Sequence, residues 1–204
     1  MATRGRPKSD QKRQQILDAA GELFALQGYE GTSLDALAAA AGVSKQTIYS
    51  HFESKADVLR EGVARRCRSG LLTAEHLDFD LPPQRFLPEF AQRFINVLLD
   101  DTALSIYRLC LSESKRHPEV GISFYESGPK VVMAAMSEYL RLATERGELH
   151  VDHPEIAAAQ FLFMVKGKPV DSALLGVADW PEGSTHEEYT RGCCEMFLRA
   201  YSAS

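Results

Sequence analysis

Hydrophobic side chains recur along most of the chain at spacings of three and four residues, which is the period of an amphipathic α-helix. The first such stretch covers residues 12–27, with Ile16, Ala20 and Phe24 on one stripe, and Gly28 is placed to end it. The sequence shows no alternating apolar and polar run of useful strand length. The pattern therefore predicts an all-α protein.

The segment GTSLDALAAAAGVSKQTIYSHFESKAD, residues 31–57, predicts three short helix starts around one tight turn. Thr32, Ser44 and Ser54 are each placed to cap a helix, and Asp35 and Asp57 stand three residues after the first and last of these. Gly42 follows the alanine-rich stretch, where a turn between two helices would need glycine. This arrangement is typical of a helix-turn-helix motif at about residues 33–52.

The second helix of this motif, KQTIYSHF, directs Ile48 and Phe52 to one inward face. Its other positions carry a cation, an amide, hydroxyl groups and aromatic rings: Lys45, Gln46, Thr47, Tyr49, Ser50 and His51. Such groups suit the phosphates and base edges of a DNA major groove. On spacing alone, a small three-helix core with an ordinary polar surface remains an alternative.

Further helical patterns follow to the end of the chain, with Pro82–Pro83 and Gly128–Pro129 as breaks. Together with the first three helices they make about nine. The predicted segments are about 54–73, 84–99, 102–116, an interrupted stretch to 146, 155–167 and 184–201.

Charge is distributed unevenly over the 204 residues, whose net charge is −5. Residues 1–66 carry ten Lys and Arg against eight Asp and Glu, whereas residues 67–204 carry thirteen against twenty. The positive charge is densest near the N-terminus, so residues 1–11 are interpreted as a basic arm that tracks phosphates or enters the minor groove. A disordered solubilising tail is the alternative interpretation.

Other chemistry is weakly supported by the sequence. There is no nucleophile elbow, phosphate loop or HExxH motif, which argues against an enzyme, and no cofactor is expected. His150, Asp152 and His153 lie close together, but a helix start explains the Asp, so no metal is expected. The sequence has neither a signal-like apolar N-terminus nor an apolar run of membrane-spanning length, so a cytoplasmic location is expected. Four cysteines without metal or disulfide spacing are interpreted as free thiols, and the adjacent Cys193 and Cys194 leave a redox role open.

The run AAGVSKQTIYSHFESKADVL, preceded by ILDAAGELFALQGYEGTSLDALA, closely resembles the DNA-binding domain of the TetR family of transcriptional regulators. The resemblance covers residues 13–60 and weakens sharply beyond about residue 70. It implies a DNA-binding domain at 12–57, a connector helix at 58–74 and a ligand-binding and dimerisation domain at 75–204. It also implies a DNA contact set, to which the helix starts add their hydroxyl groups: Thr32, Ser33, Ser44, Lys45, Gln46, Thr47, Tyr49, His51 and Lys55.

The resemblance further implies an effector pocket among the middle helices, and the supply of aromatic residues and methionine there suits an apolar or aromatic ligand. A plain helical core is the alternative for any one of these residues. The predicted pocket residues are Phe90, Phe94, Tyr107, Phe124, Tyr125, Met136, Tyr139 and Phe161.

The last two long helices combine small and large apolar residues, which predicts close pairing with the same helices of a second copy. The resemblance implies the same homodimer, and a monomer with these stripes buried internally is the alternative. The predicted interface residues are Ala158, Phe161, Leu162, Val165, Tyr189, Met196 and Phe197.

These expectations together describe a repressor that binds an operator, expected to be an inverted repeat in double-stranded DNA, and leaves it when a small effector binds. A regulator that activates, or that responds to no ligand, is one alternative. A helical small-molecule carrier with a non-functional helix-turn-helix is another.

Overall fold

The computed structural model describes residues 6–177 and 184–203. The described residues form ten α-helices and one short 3₁₀ turn, and the all-α prediction is confirmed. The helices are α1 (Arg6–Gly31), α2 (Leu34–Ala40), α3 (Lys45–His51), α4 (Lys55–Ser69), α5 (Pro83–Leu98), α6 (Asp101–Glu113), α7 (Pro118–Ser127), α8 (Pro129–Glu145), α9 (Pro154–Leu175) and α10 (His186–Tyr201); the 3₁₀ turn is Ala74–His76.

The largest differences from the predicted helix boundaries are at the start of α1 and the end of α9. α1 begins at Arg6, inside the segment predicted as an arm, and residues 1–5 of that arm lie outside the described part of the chain. The predicted break at Gly128–Pro129 is confirmed, because α7 ends at Ser127 and α8 begins at Pro129. α9 continues past Pro169 to Leu175; Pro169 and Val170 are buried, and their apolar burial offsets the hydrogen bond that proline cannot donate.

Glycine ends or interrupts helices where the backbone turns left-handed. Gly28 has a φ of +73° and interrupts α1 at the predicted place, and Gly176 has a φ of +67° at the end of α9. The left-handed region costs a glycine little because it has no Cβ. The loop predicted around Trp180–Gly183 lies outside the described residues.

The chain divides into two compact units, each made of separate segments of sequence. The chain first passes from one unit to the other within α4. The first unit contains residues 6–65 and 101–128, and the second contains residues 66–100, 129–177 and 184–203. The functional boundaries predicted at residues 11, 57 and 74 stay a prediction.

The first unit has a core in which the three N-terminal helices, α4, α6 and α7 bury apolar side chains. α1 contributes most, with help from α6. Fully or almost fully buried members are Ile16, Phe24, Leu37, Ile48, Phe52, Val58, Leu59, Leu109 and Val120.

The second unit has a separate core formed mainly by α5, α8, α9 and α10. Aromatic rings fill much of it: Phe86 stacks on Tyr139 with ring centroids 3.4 Å apart, and Phe161 meets Phe197 edge-on at 5.0 Å. The Tyr139 hydroxyl donates to the carbonyl of Leu81 at 2.9 Å, which satisfies its buried polar end.

In neither described part of the chain is a helix long and apolar enough to cross a membrane.

Candidate nucleic-acid interface

α2 and α3 are both short helices fixed at their first turns by serine caps. The Ser33 hydroxyl accepts from the Ala36 amide at 3.0 Å, and the Ser44 hydroxyl accepts from the Thr47 amide at 3.1 Å. Gly42, with a φ of +64°, makes the turn between the helices. The predicted helix-turn-helix therefore forms, and its local geometry follows from two caps and one left-handed glycine.

The cap of α2 is Ser33, and the prediction that Thr32 caps this helix is wrong. Thr32 is fully buried, and its hydroxyl donates to the carbonyl of Gly28 at 2.8 Å. That bond satisfies the carbonyl at the point where Gly28 interrupts α1. The Thr32 side chain is thus turned away from solvent, whereas Ser33 is exposed.

α3 has an apolar side buried in the core of the first unit and a polar side in solvent. Ile48 and Phe52 are buried, as the spacing predicts. Lys45, Gln46 and Tyr49 are exposed, Tyr49 with 55% of its surface accessible. Thr47 and His51 are half-buried at the margin of this polar face. The structure therefore brings all five predicted α3 contact residues onto one helix outside its buried stripe.

Hydrogen bonds hold several side chains of this face in place. The Lys45 ammonium lies 2.8 Å from a carboxylate oxygen of Asp35 on α2, and this hydrogen-bonded pair raises the pKa of Lys45. The Thr47 and Ser44 hydroxyls are 2.8 Å apart, and the Ser50 hydroxyl donates to the carbonyl of Thr47 at 2.7 Å. Asp35 was not predicted to act on α3, because a pair ten residues apart gives no signal in helical periodicity.

Lys55 at the start of α4 is half-buried against Tyr29. Its ammonium donates to the Tyr29 carbonyl and lies 4.2 Å from the centroid of the Tyr29 ring. Burial lowers the pKa of Lys55, and the nearby carboxylates of Glu30 and Glu113 oppose that shift. A phosphate contact by Lys55 would have to compete with these existing partners.

Arg13, at the end of the basic N-terminal segment, also has partners within the first unit. Its guanidinium lies 2.8 Å from a Glu61 carboxylate oxygen and 5.2 Å from the centroid of the Phe52 ring. It therefore braces α1 against α3 and α4.

The eight residues predicted for an effector pocket divide between the two units. In the first, Tyr107 stacks on Phe124 with ring centroids 5.5 Å apart, and Tyr125 is exposed. The remaining five are buried members of the core of the second unit: Phe90, Phe94, Met136, Tyr139 and Phe161.

A cleft of about 270 Å³ lies beside these buried rings in the second unit. Aromatic and aliphatic residues line part of it, among them Phe86 and Phe90, and charged or polar residues line the rest. Of the residues that line the cleft, only Phe90 was predicted for the pocket; the others are His76, Leu77, Asp78, Leu81, Arg85, Phe86, Glu89 and Arg93. Most of these belong to a loop and to the polar side of α5, which carry no helical-period signal for a pocket.

Most of the residues predicted for the dimer interface are already buried within the single chain. Ala158, Phe161, Leu162, Val165 and Phe197 belong to the core of the second unit, so the stripe predicted to meet a partner faces inward. Tyr189 is half-buried, and its hydroxyl donates to the Met164 carbonyl at 2.9 Å. Met196 alone among the seven is exposed.

The outward face of α9 and α10 carries exposed apolar side chains, of which Met196 was predicted for the interface and Ile156 and Phe163 were missed. Ile156 and Phe163 on α9 are 56% and 64% exposed, and Met196 on α10 is 56% exposed. α9 is apolar on both sides, so its spacing alone could not distinguish the inward face from the outward one.

Two family models together cover most of the chain. Residues 16–61 match the family described as bacterial regulatory proteins, tetR family, and residues 85–203 match the AefR-like transcriptional repressor, C-terminal domain. The regulator AcrR of Shigella flexneri is 44% identical over 61 residues, 30% of this chain and 28% of AcrR. SrpR of Pseudomonas putida is 39% identical over 66 residues, 32% of this chain and 31% of SrpR, so these matches span about a third of either relative or less.

Several solved structures match nearly the full chain. A TetR-family regulator from Mesorhizobium loti superposes with a TM-score of 0.80 at 28% identity, covering 98% of this chain and 100% of the other. The flavonoid-responsive regulator FrrA superposes with a TM-score of 0.73 at 31% identity, covering 95% of this chain and 98% of FrrA. With a helix-turn-helix at its N-terminus and family matches to both parts, the chain belongs to the TetR family of DNA-binding transcriptional regulators.

Proposed function

We propose that the chain is a repressor that reads its operator through α3 and is released from it by a small aromatic effector. The observation that supports operator binding by α3 is the polar face of this helix. Lys45, Gln46 and Tyr49 are exposed there, and Ser44 caps the helix. A helix-turn-helix places its second helix across the major groove.

Individual roles on this face follow from side-chain chemistry. Gln46 can pair with adenine, and Thr47 can meet a base or a thymine methyl group. Lys45 and Lys55 carry the positive charge for phosphates, and the Ser33 and Ser44 helix starts offer hydroxyl and amide groups. Tyr49 and His51 complete the proposed contact set. The buried Thr32 has a supporting role, since its hydroxyl holds the end of α1.

The proposed repressor acts as a homodimer on an inverted repeat. A dimer presents two copies of α3 to two half-sites related by its own two-fold axis. We assign the dimer contact to the exposed apolar face of α9 and α10, centred on Ile156, Phe163 and Met196. A self-complementary apolar patch is what a two-fold interface requires.

The proposed effector site is the cleft beside the rings of Phe86 and Phe90. An aromatic floor with His76, Arg85 and Arg93 at its edge suits a planar aromatic molecule that carries polar groups. The likeness to FrrA, a flavonoid-responsive regulator, supports this class of ligand. The volume of the cleft, about 270 Å³, is near the lower end of the volumes of small-molecule sites, so a compact ligand fits the cleft best.

Release from the operator is a shift between two populations. In one form of the dimer the two α3 helices have the spacing that the operator needs, and in the other they do not. An effector that binds the second form more tightly lowers operator affinity, and the size of the effect is set by the difference between its affinities for the two forms. A typical coupling of this kind changes affinity about 5- to 150-fold.

The effector proposal is tested by titrating the protein on its operator with and without a panel of flavonoids. We expect at least one flavonoid to weaken operator binding about tenfold or more and to raise the melting temperature of the free protein. The variants His76→Ala and Arg85→Ala should reduce both effects, because they remove the polar edge of the cleft without touching its buried rings.

Arg68→Ala is the matched control, since Arg68 is an exposed arginine of the same unit that does not line this cleft. Operator binding that no compound alters would favour a ligand-independent regulator. An effect that survives both cleft variants would place the effector elsewhere.

A further inference from the structure

Three side chains that can bind metal ions converge in the first unit. Glu30 lies in the last turn of α1, Glu113 ends α6, and His117 precedes the first residue of α7. One ligand atom from each lies within 4.8 Å of the other two. They come from three separate elements, so the tertiary fold brings them together.

The imidazole of His117 is oriented as a metal ligand would be. Its Nδ1 atom lies 3.2 Å from a carboxylate oxygen of Glu119, and its Nε2 atom points to Glu30, whose oxygen is 2.8 Å away. In metal sites the nitrogen that does not bind the ion is commonly held by a carboxylate, which fixes the tautomer and the ring orientation. Glu119 is placed to do this.

Glu113 supplies an independent observation. Its Oε2 atom is enclosed by protein and has no hydrogen-bond partner among the described residues. An enclosed carboxylate oxygen without a partner is costly unless a cation or donor compensates it. Lys55 interacts with Glu113 electrostatically, but its ammonium donates to the Tyr29 carbonyl and lies over the Tyr29 ring.

We propose that Glu30, Glu113 and His117 form a site for a divalent transition-metal ion of the Zn²⁺ class. Imidazole nitrogen and carboxylate oxygen are both Zn²⁺ ligands, and three protein ligands leave a fourth position to water. Bonds of about 2.0–2.2 Å place tetrahedral ligand atoms roughly 3.4 Å apart. The Glu30 oxygen and His117 Nε2, which are 2.8 Å apart, would therefore separate slightly, and the Glu113 carboxylate would move toward them by side-chain rotation. The bound ion would join the end of α1 to the turn between α6 and α7.

Burial limits the ability of the four cysteines to compete for the metal ion. All four cysteines are buried, and burial raises the pKa of Cys67 to about 11 and the pKa values of Cys110 and Cys194 to about 12. Thiols of this kind bind Zn²⁺ poorly, because the thiolate is the ligand. His150 provides a matched control, since its Nε2 atom lies 4.0 Å from an Asp152 oxygen on an exposed segment without a third ligand.

The test is a Zn²⁺ titration of the untagged full chain in competition with a chromophoric chelator. We expect one ion per chain, an affinity at least tenfold weaker in His117→Ala and in Glu113→Gln, and about tenfold weaker in Glu119→Gln. His150→Ala should bind as the wild type does. Glu113→Gln keeps the side-chain volume, and circular dichroism of each variant reports whether the helices are retained.

Three results would overturn the proposal. The chain could fail to compete with a chelator of micromolar affinity, folded Glu113→Gln could bind Zn²⁺ as the wild type does, or His150→Ala could abolish binding. None of them bears on operator binding, so the metal site and the repressor function fail or stand separately.

Discussion

At the scale of single residues, the first unit engages several of its polar groups within the protein before any DNA is present. Lys45 forms an ion pair with Asp35, and Arg13 forms one with Glu61. Lys55 donates a hydrogen bond to the Tyr29 carbonyl. The Lys45–Asp35 pair is exposed to solvent, where ion pairs add little to stability, so a phosphate can replace the carboxylate at low cost. Lys55 is half-buried and loses more on leaving its site, so its part in DNA binding depends on a rearrangement that Lys45 does not need.

The cysteines give a prediction at the same scale. Burial raises the pKa of all four thiols, including that of Cys193, so at pH 7.5 each is protonated and shielded. We expect iodoacetamide to label none of them in the native protein within minutes and all four in denaturant, as measured by intact mass. Rapid native labelling of Cys193 or Cys194 would instead support the redox role that the sequence leaves open.

At the scale of elements, α3 is only seven residues long, so its first turn is a large part of it. An isolated helix of this length is unstable in water, and packing of Ile48 together with the Ser44 cap must hold it. The cap bond to the Thr47 amide also fixes the residue that we propose reads a base.

The cap makes a direct prediction. Ser44→Ala should lower the free energy of unfolding by about 1 kcal/mol and weaken operator binding, because α3 loses its fixed start. Ser69→Ala on α4 is the control, since the Ser69 hydroxyl caps no helix start and donates to the Arg66 carbonyl at 3.0 Å. Urea denaturation and operator titration of both variants measure the two effects, and equal behaviour of Ser44→Ala and wild type would contradict the assigned role of the cap.

The helix starts and turns could be predicted where individual residues mark them in the sequence. Gly28, Gly42 and the serine caps mark turns through their own conformational preferences, so the helix-turn-helix was recoverable from sequence. The misassigned cap arose because Thr32 and Ser33 have nearly the same preference, and only tertiary packing decides which one is buried.

The candidate sites beyond α3 depended on information that the sequence pattern lacks. α9 is apolar on both sides, so periodicity could not show that Phe161 faces inward and Phe163 outward. The cleft near Phe90 and the cluster around His117 each combine side chains from loops and from separate helices. Such groupings become visible only once the chain is folded.

At the scale of the whole molecule, the proposed dimer makes a prediction about mass. Phe163→Asp and Met196→Asp each place a charge in the apolar face of α9 and α10, where burying it without a partner is costly. We expect wild type at micromolar concentration to sediment with twice the chain mass of 22.6 kDa, and both variants to approach the mass of one chain.

Leu26→Asp is the matched control, because Leu26 on α1 is 82% exposed and lies outside this face. It should sediment as wild type does. A wild-type protein with the mass of one chain, or folded variants that remain dimeric, would show that α9 and α10 do not form the interface as assigned.

The most direct test of the account is an equilibrium titration of the wild-type protein against the operator selected from random duplexes and against a shuffled duplex of equal length. At physiological salt, we expect the operator to bind about 1,000-fold or more tightly than the shuffled duplex. We expect Thr47→Ala and Gln46→Ala to lose about 1–3 kcal/mol of that discrimination, while Gln84→Ala on α5 keeps it. Equal affinity of wild type for both duplexes, or full discrimination by both α3 variants, would contradict the claim that α3 reads the operator.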